Sequence, residues 1–190
     1  MRIFIFVPLF LSVTTPLVMA YESMHEKTPV GEIKILKLPA RTALEAVSDD
    51  HYFEENNGLF RKLFGYISKH DLAMTTPVEA DIEPGKMRFF VGEDDLQKPR
   101  PNTNTVTVRD LKPMTVVAIG VRGGYSAENF EKYQEKLLDW LGHNPNYEQA
   151  GPAYAVYWDG PFIPWFLKRS EIHLPIHLTT KKSSPSKPSN

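Results

Sequence analysis

Apolar and polar positions fall into two similar series, offset by about 75 residues. In residues 32–49, EIKILKLPARTALEAVSD, a strand-like run is broken by Pro39 and resumes as a branched apolar strand at 42–47. In residues 105–123, TVTVRDLKPMTVVAIGVRG, Pro113 breaks a similar run, which resumes at 115–121. A helical pattern follows each pair. Leu59, Phe60, Leu63, Phe64 and Ile67 recur at helical spacing behind the N-cap residue Asn57, with Lys69 and His70 at the C-terminal end, where positive charge is favoured. Phe130, Tyr133, Leu137, Leu138 and Leu141 do the same behind Ser126, with Gly142 or Asn144 as the stop. Two further strands follow each helix: LAMTTPVEADI (72–82) and KMRFFVGE (86–93), then YEQAGPAYAVYWD (147–159) and SEIHLPIHL (170–178).

The order strand–strand–helix–strand–strand, twice, predicts an α+β domain of about eight strands with internal pseudo-twofold duplication. Its halves span about 30–93 and 104–178, joined by the Pro- and Asn-rich segment 94–105. A largely antiparallel sheet is expected to curl into a distorted barrel covered by two helices, with a cleft between the halves as a ligand position.

The turns after the third strand of each half differ. EPGK (83–86) is a compact turn, whereas GPFIPWFLKR (160–169) carries Phe162, Trp165 and Phe166. Pro161 and Pro164 exclude a central strand, so these aromatics lie on a loop. Two partners are open for them: the protein's own core, or a flat apolar ligand. Large aromatics mostly bury in their own protein, which makes a core plug the expectation for Phe162 and Phe166, while Trp165 stays open.

Composition then narrows the setting. Arg2, the nine-residue apolar run 3–11 and Val18-Met19-Ala20 form an export-signal pattern with cleavage after Ala20, giving a periplasmic or secreted domain over 21–179 and no lasting membrane span. The 190 residues contain no cysteine, which excludes disulfides, thiol nucleophiles and thiolate metal sites, and suits a periplasm better than a disulfide-stapled secreted module. Without Arg2 the chain has 21 basic and 23 acidic residues, net −2; without the Pro/Ser-rich tail 180–190, expected to be disordered, the body stands at 18 against 23, net −5. Nothing in that balance favours nucleic acid.

Catalytic signatures are missing: there is no G-x-S-x-G, H-E-x-x-H or phosphate-loop motif. Ser126 is accounted for as a helix cap, and the adjacent acids 49–50, 54–55 and 94–95 point opposite ways on extended chain. His173 and His177 flank Pro175 on a strand, which separates their rings by roughly 13 Å and rules out a shared metal ion.

Three stretches resemble one family, the SOUL heme-binding proteins. FRKLFGYISKHDLAMTTPVEADI is similar to that family's helix and M-T-x-P-V strand; KMRFFVGEDDLQKPRPNTNTVTV to its M-x-F-x-x-P strand and linker; EQAGPAYAVYWDGPFIPWFLKRSEIHL to its A-G-Y…P-F-x-P-W-F-x-R-x-N-E-V ending. They run in the same order from about residue 33 to 176, with two departures: Tyr154 stands three residues after Gly151, and Ser170 replaces Asn. The resemblance implies a pseudo-twofold β-barrel flanked by two helices. It also implies tetrapyrrole binding, in some members beside the first helix, without a family-wide axial ligand. Related folds occur as effector-binding domains and some are reported to be hydrolases.

A tetrapyrrole needs an apolar floor, an aromatic wall and a basic rim. Phe60, Leu63, Phe64 and Ile67 are the candidate floor, Met74 a cleft-wall residue, and Phe162, Trp165 and Phe166 the wall. Arg61, Lys62, Lys69, Lys168 and Arg169 are the rim, and His70 is the candidate axial ligand to a heme iron. Burying roughly 300 Å² of apolar ligand contributes on the order of 7 kcal/mol before association costs, enough for micromolar, non-covalent binding without an iron bond. The expected function is a non-enzymatic tetrapyrrole carrier or buffer. The alternatives are an envelope protein-interaction module using the aromatic loop, and a hydrolase-type domain with Glu79 or Glu171 buried at raised pKa.

Overall fold

The computed structural model describes residues 25–54, 58–160 and 162–179. The expected export segment, the helix cap Asn57, Pro161 and the basic tail lie outside them. The described residues form β1 (Ile33–Leu38), β2 (Arg41–Val47), α1 (Gly58–Lys69), β3 (Val78–Asp81), β4 (Lys86–Phe90), β5 (Thr107–Leu111), β6 (Met114–Arg122), α2 (Ala127–Gly142), β7 (Tyr147–Gln149), β8 (Tyr154–Tyr157) and β9 (Arg169–Leu178).

One antiparallel sheet runs β1-β6-β9-β8-β3-β4-β2-β5, with β7 added to β9. Its connections force it to curl. Pro39 and Ala40 alone join β1, at one end of that order, to β2 near the other; Lys112 and Pro113 do the same for β5 and β6. Two linking residues allow three Cα–Cα steps, at most about 11 Å, so strands six places apart in that order must come together. Side chains confirm the closure: the Arg41 guanidinium on β2 lies 4.0 Å from the Met114 sulfur on β6, and the Tyr154 hydroxyl on β8 lies 3.8 Å from it. The result is an α+β half-barrel.

Period-two alternation divides the strands between two faces. The outer face holds the main core: Leu44 and Ala46 of β2, Phe89 of β4, Ile119 of β6 and Leu174 of β9 pack beneath the helices. From α1, Leu59, Leu63, Tyr66 and Ile67 go down onto this face. From α2, Phe130 and Leu137 do so, with Tyr133 and Leu141 half-buried. Leu138, expected on that stripe, is exposed, because adjacent helical residues point about 100° apart and Leu137 holds the buried position. Ser126 caps α2 as expected, its Oγ accepting from the Asn129 amide at 3.3 Å.

The inner face closes on a second cluster of Leu38, Val116, Tyr154, Val156 and Trp158. Residues 25–30 cross it as a strap. Val30 bridges Gly120, the Gly31 amide donates to the Gly120 carbonyl at 2.8 Å, and a Cβ at Gly120 would meet the Pro29 carbonyl oxygen at 2.2 Å.

Three expected elements differ in detail. LAMTTPVEADI forms a strand only over Val78–Asp81, with an isolated bridge at Thr76, since Pro77 has no amide to give; the Thr75 hydroxyl donates to the Phe90 carbonyl at 2.7 Å. The stretch 147–159 splits into β7 and β8 around Gly151 and Pro152, which makes nine strands rather than eight among the described residues. The linker 94–105 is tied down: Asp95 accepts from the Ala73 amide at 2.6 Å, and the Tyr66 hydroxyl donates to the Pro101 carbonyl at 2.9 Å. No helix among the described residues is long and apolar enough to cross a membrane.

Leu63 and Phe64 are neighbours with opposite environments, 0% and 51% exposed. Leu63→Ala is expected to cost about 2–5 kcal/mol of stability, and Phe64→Ser less than about 0.5 kcal/mol. Urea denaturation of the two variants checks the assignment of α1's faces.

Candidate functional site

The half-barrel interior is filled rather than open. A line of alternating charges crosses it from β2 to β4. The Arg41 guanidinium lies 4.5 Å from the centre of the Phe90 ring and donates to Glu79 Oε1 at 2.6 Å, both side chains almost fully buried. Glu79 on β3 and Glu45 on β2 each stand in register with Arg88 on β4. Arg88 donates from Nε to Glu45 at 2.9 Å and bidentately to Asp81 at 2.8 and 2.7 Å. Each buried charge thus has an opposite partner, which burial requires.

The second half of the interior centres on Glu171. Its Oε1 accepts from the Thr28 amide at 2.9 Å and the Trp158 indole at 2.7 Å; its Oε2 accepts from the Thr28 hydroxyl at 2.8 Å and pairs with His173 Nε2 at 2.8 Å. On its other side His173 Nδ1 lies 3.2 Å from the Tyr154 hydroxyl. Burial pushes the Glu171 carboxyl up, but the hydrogen bond and attraction of His173 and the Thr28 donors outweigh it and hold the pKa down at about 2. At Glu171 this direction is opposite to the raised pKa expected for a hydrolase-type acid. Both oxygens carry two hydrogen bonds, which fills a carboxylate's acceptor capacity. Glu171 therefore fastens the strap to the sheet and has no lone pair left for a substrate. The cleft expected between the halves is occupied by this network and by residues 25–30.

Sequence reasoning named Glu79 and Glu171 but missed Arg41, Arg88, Glu45 and Thr28. The signal was present: β3 and β4 each carry charge at alternate positions, and β2 carries Arg41 and Glu45 on one face. Alternation of that kind ordinarily marks a solvated face, and the curl of the sheet makes it an interior one.

On α1 the candidate floor divides. Leu63 and Ile67 belong to the core beneath the helix, because their helical phase points at the sheet. Phe64 is half exposed and stacks on the partly buried Phe60, centroids 5.9 Å apart and planes 11° from parallel. Arg61, Gly65, Ser68 and Lys69 beside them are exposed, and Gly65 has open space where a side chain would be. Met74 packs against the core. His70 leans on the Tyr66 ring at 4.4 Å, with its Nε2 enclosed and without a hydrogen-bond partner. It reaches an external iron only if the ring turns out.

The aromatic loop does not plug the core. Phe162 is 96% exposed, Trp165 70% and Phe166 55%, on a loop turned at Pro164 above a base fixed by Asp159, Arg169 and Tyr125. Lys168 lies with its Nζ 4.8 Å over the Tyr125 ring, and Arg169 gives its guanidinium to the Thr28 carbonyl at 3.1 Å. A separate groove of about 440 Å³ runs between α2 and the β3–β4 turn, lined among others by His51, Phe53, Lys86 and Glu131. None of the candidate site residues lines it.

The architecture defines an α+β half-barrel domain with two helices on its outer face and a closed polar interior. A family model described as SOUL heme-binding protein matches residues 18–175, and the chain belongs to the SOUL heme-binding protein family. No curated protein matches the sequence. Among solved structures, the crystal structure of the EcmrR C-terminal domain is similar, with a TM-score of 0.61 at 15% identity over 77% of this chain and 97% of that one. A crystal structure described as a hydrolase from Listeria innocua gives a TM-score of 0.55 at 13% identity over 79% and 94%. At these identities the likeness concerns the fold alone.

The Glu171 arrangement sets a pH dependence. A folded pKa of about 2 lies below the ordinary 4.5, so its stabilisation is complete above pH 4.5 and is lost as pH falls towards 2. On the order of 3 kcal/mol is involved. Glu171→Gln is expected to lose a similar amount at neutral pH and to flatten stability between pH 4.5 and 2, as read by urea unfolding across that range.

Proposed function

We propose that this protein binds a tetrapyrrole, heme foremost, non-covalently on the outward face of α1, and serves as a non-enzymatic carrier or buffer. The observation that carries this is the exposed Phe64 stacked on Phe60, on the first helix of a chain matched to a heme-binding family. Phe64 supplies a flat apolar contact, Gly65 and Ser68 leave room for a planar group, and Arg61 and Lys69 suit its carboxylates. These residues fit a ligand lying face-on at the surface. The outward face of α1 carries no imidazole or thioether, so affinity rests on apolar contact and charge, while His70 stays against Tyr66. When bound, a heme would bring its own redox and axial-ligand chemistry.

An exported, periplasmic setting belongs to the same proposal, supported by the basic start, the apolar run 3–11, the small-x-small site at 18–20 and the absence of cysteine. So does internal duplication. Exchanging β1 with β5, β2 with β6, β3 with β8 and β4 with β9 turns the strand order into its own reverse, and α1 packs on β2 and β4 as α2 packs on β6 and β9.

Hemin titration of the purified protein tests the site. A saturable Soret shift is expected, weakened about tenfold or more in Phe64→Ala and unchanged in Trp165→Ala and His70→Ala. No saturable shift, or indifference to Phe64, removes the proposal. Loss of binding in Trp165→Ala relocates the site to the loop.

A further inference from the structure

The loop 160–168 is a feature that tetrapyrrole binding on α1 does not use. Phe162, Trp165 and Phe166 are exposed, and Leu167 and Ile163 beside them are 47% and 40% exposed. Water-facing apolar residues in such a cluster mark an interaction site.

The base beneath the tip is held firmly. The Asp159 carboxylate accepts from the Arg169 amide at 2.6 Å. The Tyr125 hydroxyl accepts from the Asp159 amide at 3.1 Å and lies 2.9 Å from the Arg169 carbonyl. The Gly123 amide donates to the Lys168 carbonyl at 3.0 Å, and within the loop the Leu167 amide donates to the Pro164 carbonyl at 2.9 Å. Much of the ordering cost of the tip is thus met in the free protein.

Around that base stands a basic collar. Lys168 lies over Tyr125, Lys27 lies with its Nζ 5.3 Å over the Trp158 ring, and exposed Arg122 stands in register with Arg169. Of the nearby carboxylates, Asp159 is engaged by the Arg169 amide, and Glu26 is exposed next to Lys27. The sequence over 21–179 is otherwise acidic on balance, so the collar is a local feature.

We propose that the loop inserts into an anionic lipid bilayer surface, its aromatics at the headgroup–acyl boundary and the collar against lipid phosphates. The layering matches that of interfacial anchors: apolar and aromatic groups at the tip, cations one layer above. A convex tip suits a bilayer, which accepts a projecting wedge. A standard protein partner needs roughly 800 Å² on each side, more than so narrow a projection offers by itself.

The test uses the full chain, so that the apolar run 3–11 is common to every variant, with phosphatidylcholine vesicles with and without phosphatidylglycerol. The triple change Phe162→Ser, Trp165→Ser, Phe166→Ser is expected to leave thermal unfolding unchanged and to lower the partition onto phosphatidylglycerol vesicles about tenfold or more. Brominated lipids are expected to quench tryptophan emission in the native chain, and less so in Trp165→Phe, which leaves the tip apolar. Partition is expected to weaken in salt and in Lys168→Glu. Equal partition of the triple variant, or quenching unaffected by Trp165→Phe, overturns the proposal. Loop-dependent capture of a protein without loop-dependent vesicle binding also overturns it. Hemin affinity of the triple variant, read separately, reports on α1 and is expected to be unchanged.

Discussion

The structure depends on two connections that are too short for a flat sheet. Pro39-Ala40 and Lys112-Pro113 each tie strands that lie at opposite ends of the hydrogen-bonding order. The chain satisfies both only by rolling the sheet into a half-barrel, and almost everything else is a consequence of that roll. It gives the sheet an outer face, which two amphipathic helices cover. It also creates an inner face, where side chains from distant strands meet and water is excluded.

The inner face is the unusual one. Burying Arg41, Glu79, Arg88, Glu171 and His173 is costly unless each finds a partner, and each does. Pairs of this sort add little net stability over apolar packing, but removing one member leaves a stranded charge. They therefore fix the register of β2, β3 and β4 and the path of residues 25–30. The same filling decides where ligands do not go. Glu171 spends its acceptor capacity on Thr28, Trp158 and His173, which makes the interior a joint rather than a pocket. Exposed aromatic surface is instead found outside, on α1 and on the β8–β9 loop. These two sites differ in kind. Phe64 is a half-exposed ring on a rigid helix, suited to a flat guest, and the loop is a convex tip with a basic base.

The helices were legible because a repeating apolar stripe at 3.6-residue spacing carries its own phase. That phase also separates Leu63 and Ile67, which go to the core, from Phe64, which does not, although one stripe seemed to include all three. The loop was misjudged for a different reason. The tendency of large aromatics to bury says nothing about whether a particular loop can reach a core, and Pro164, with the clamp of Asp159 and Tyr125, holds this one away. Thr28 was invisible because its role depends on a strap 143 residues from Glu171 in sequence.

Sequence alone determined the α+β class, the order of elements, both helices with the Ser126 cap, and the family motifs, because periodicity, capping and short motifs are local properties of the chain. Tertiary structure decided which charged strand faces lie inside, which apolar residues stay exposed, and that the interior is closed. Those outcomes depend on which distant strands the curl brings together, and no local pattern encodes that distance.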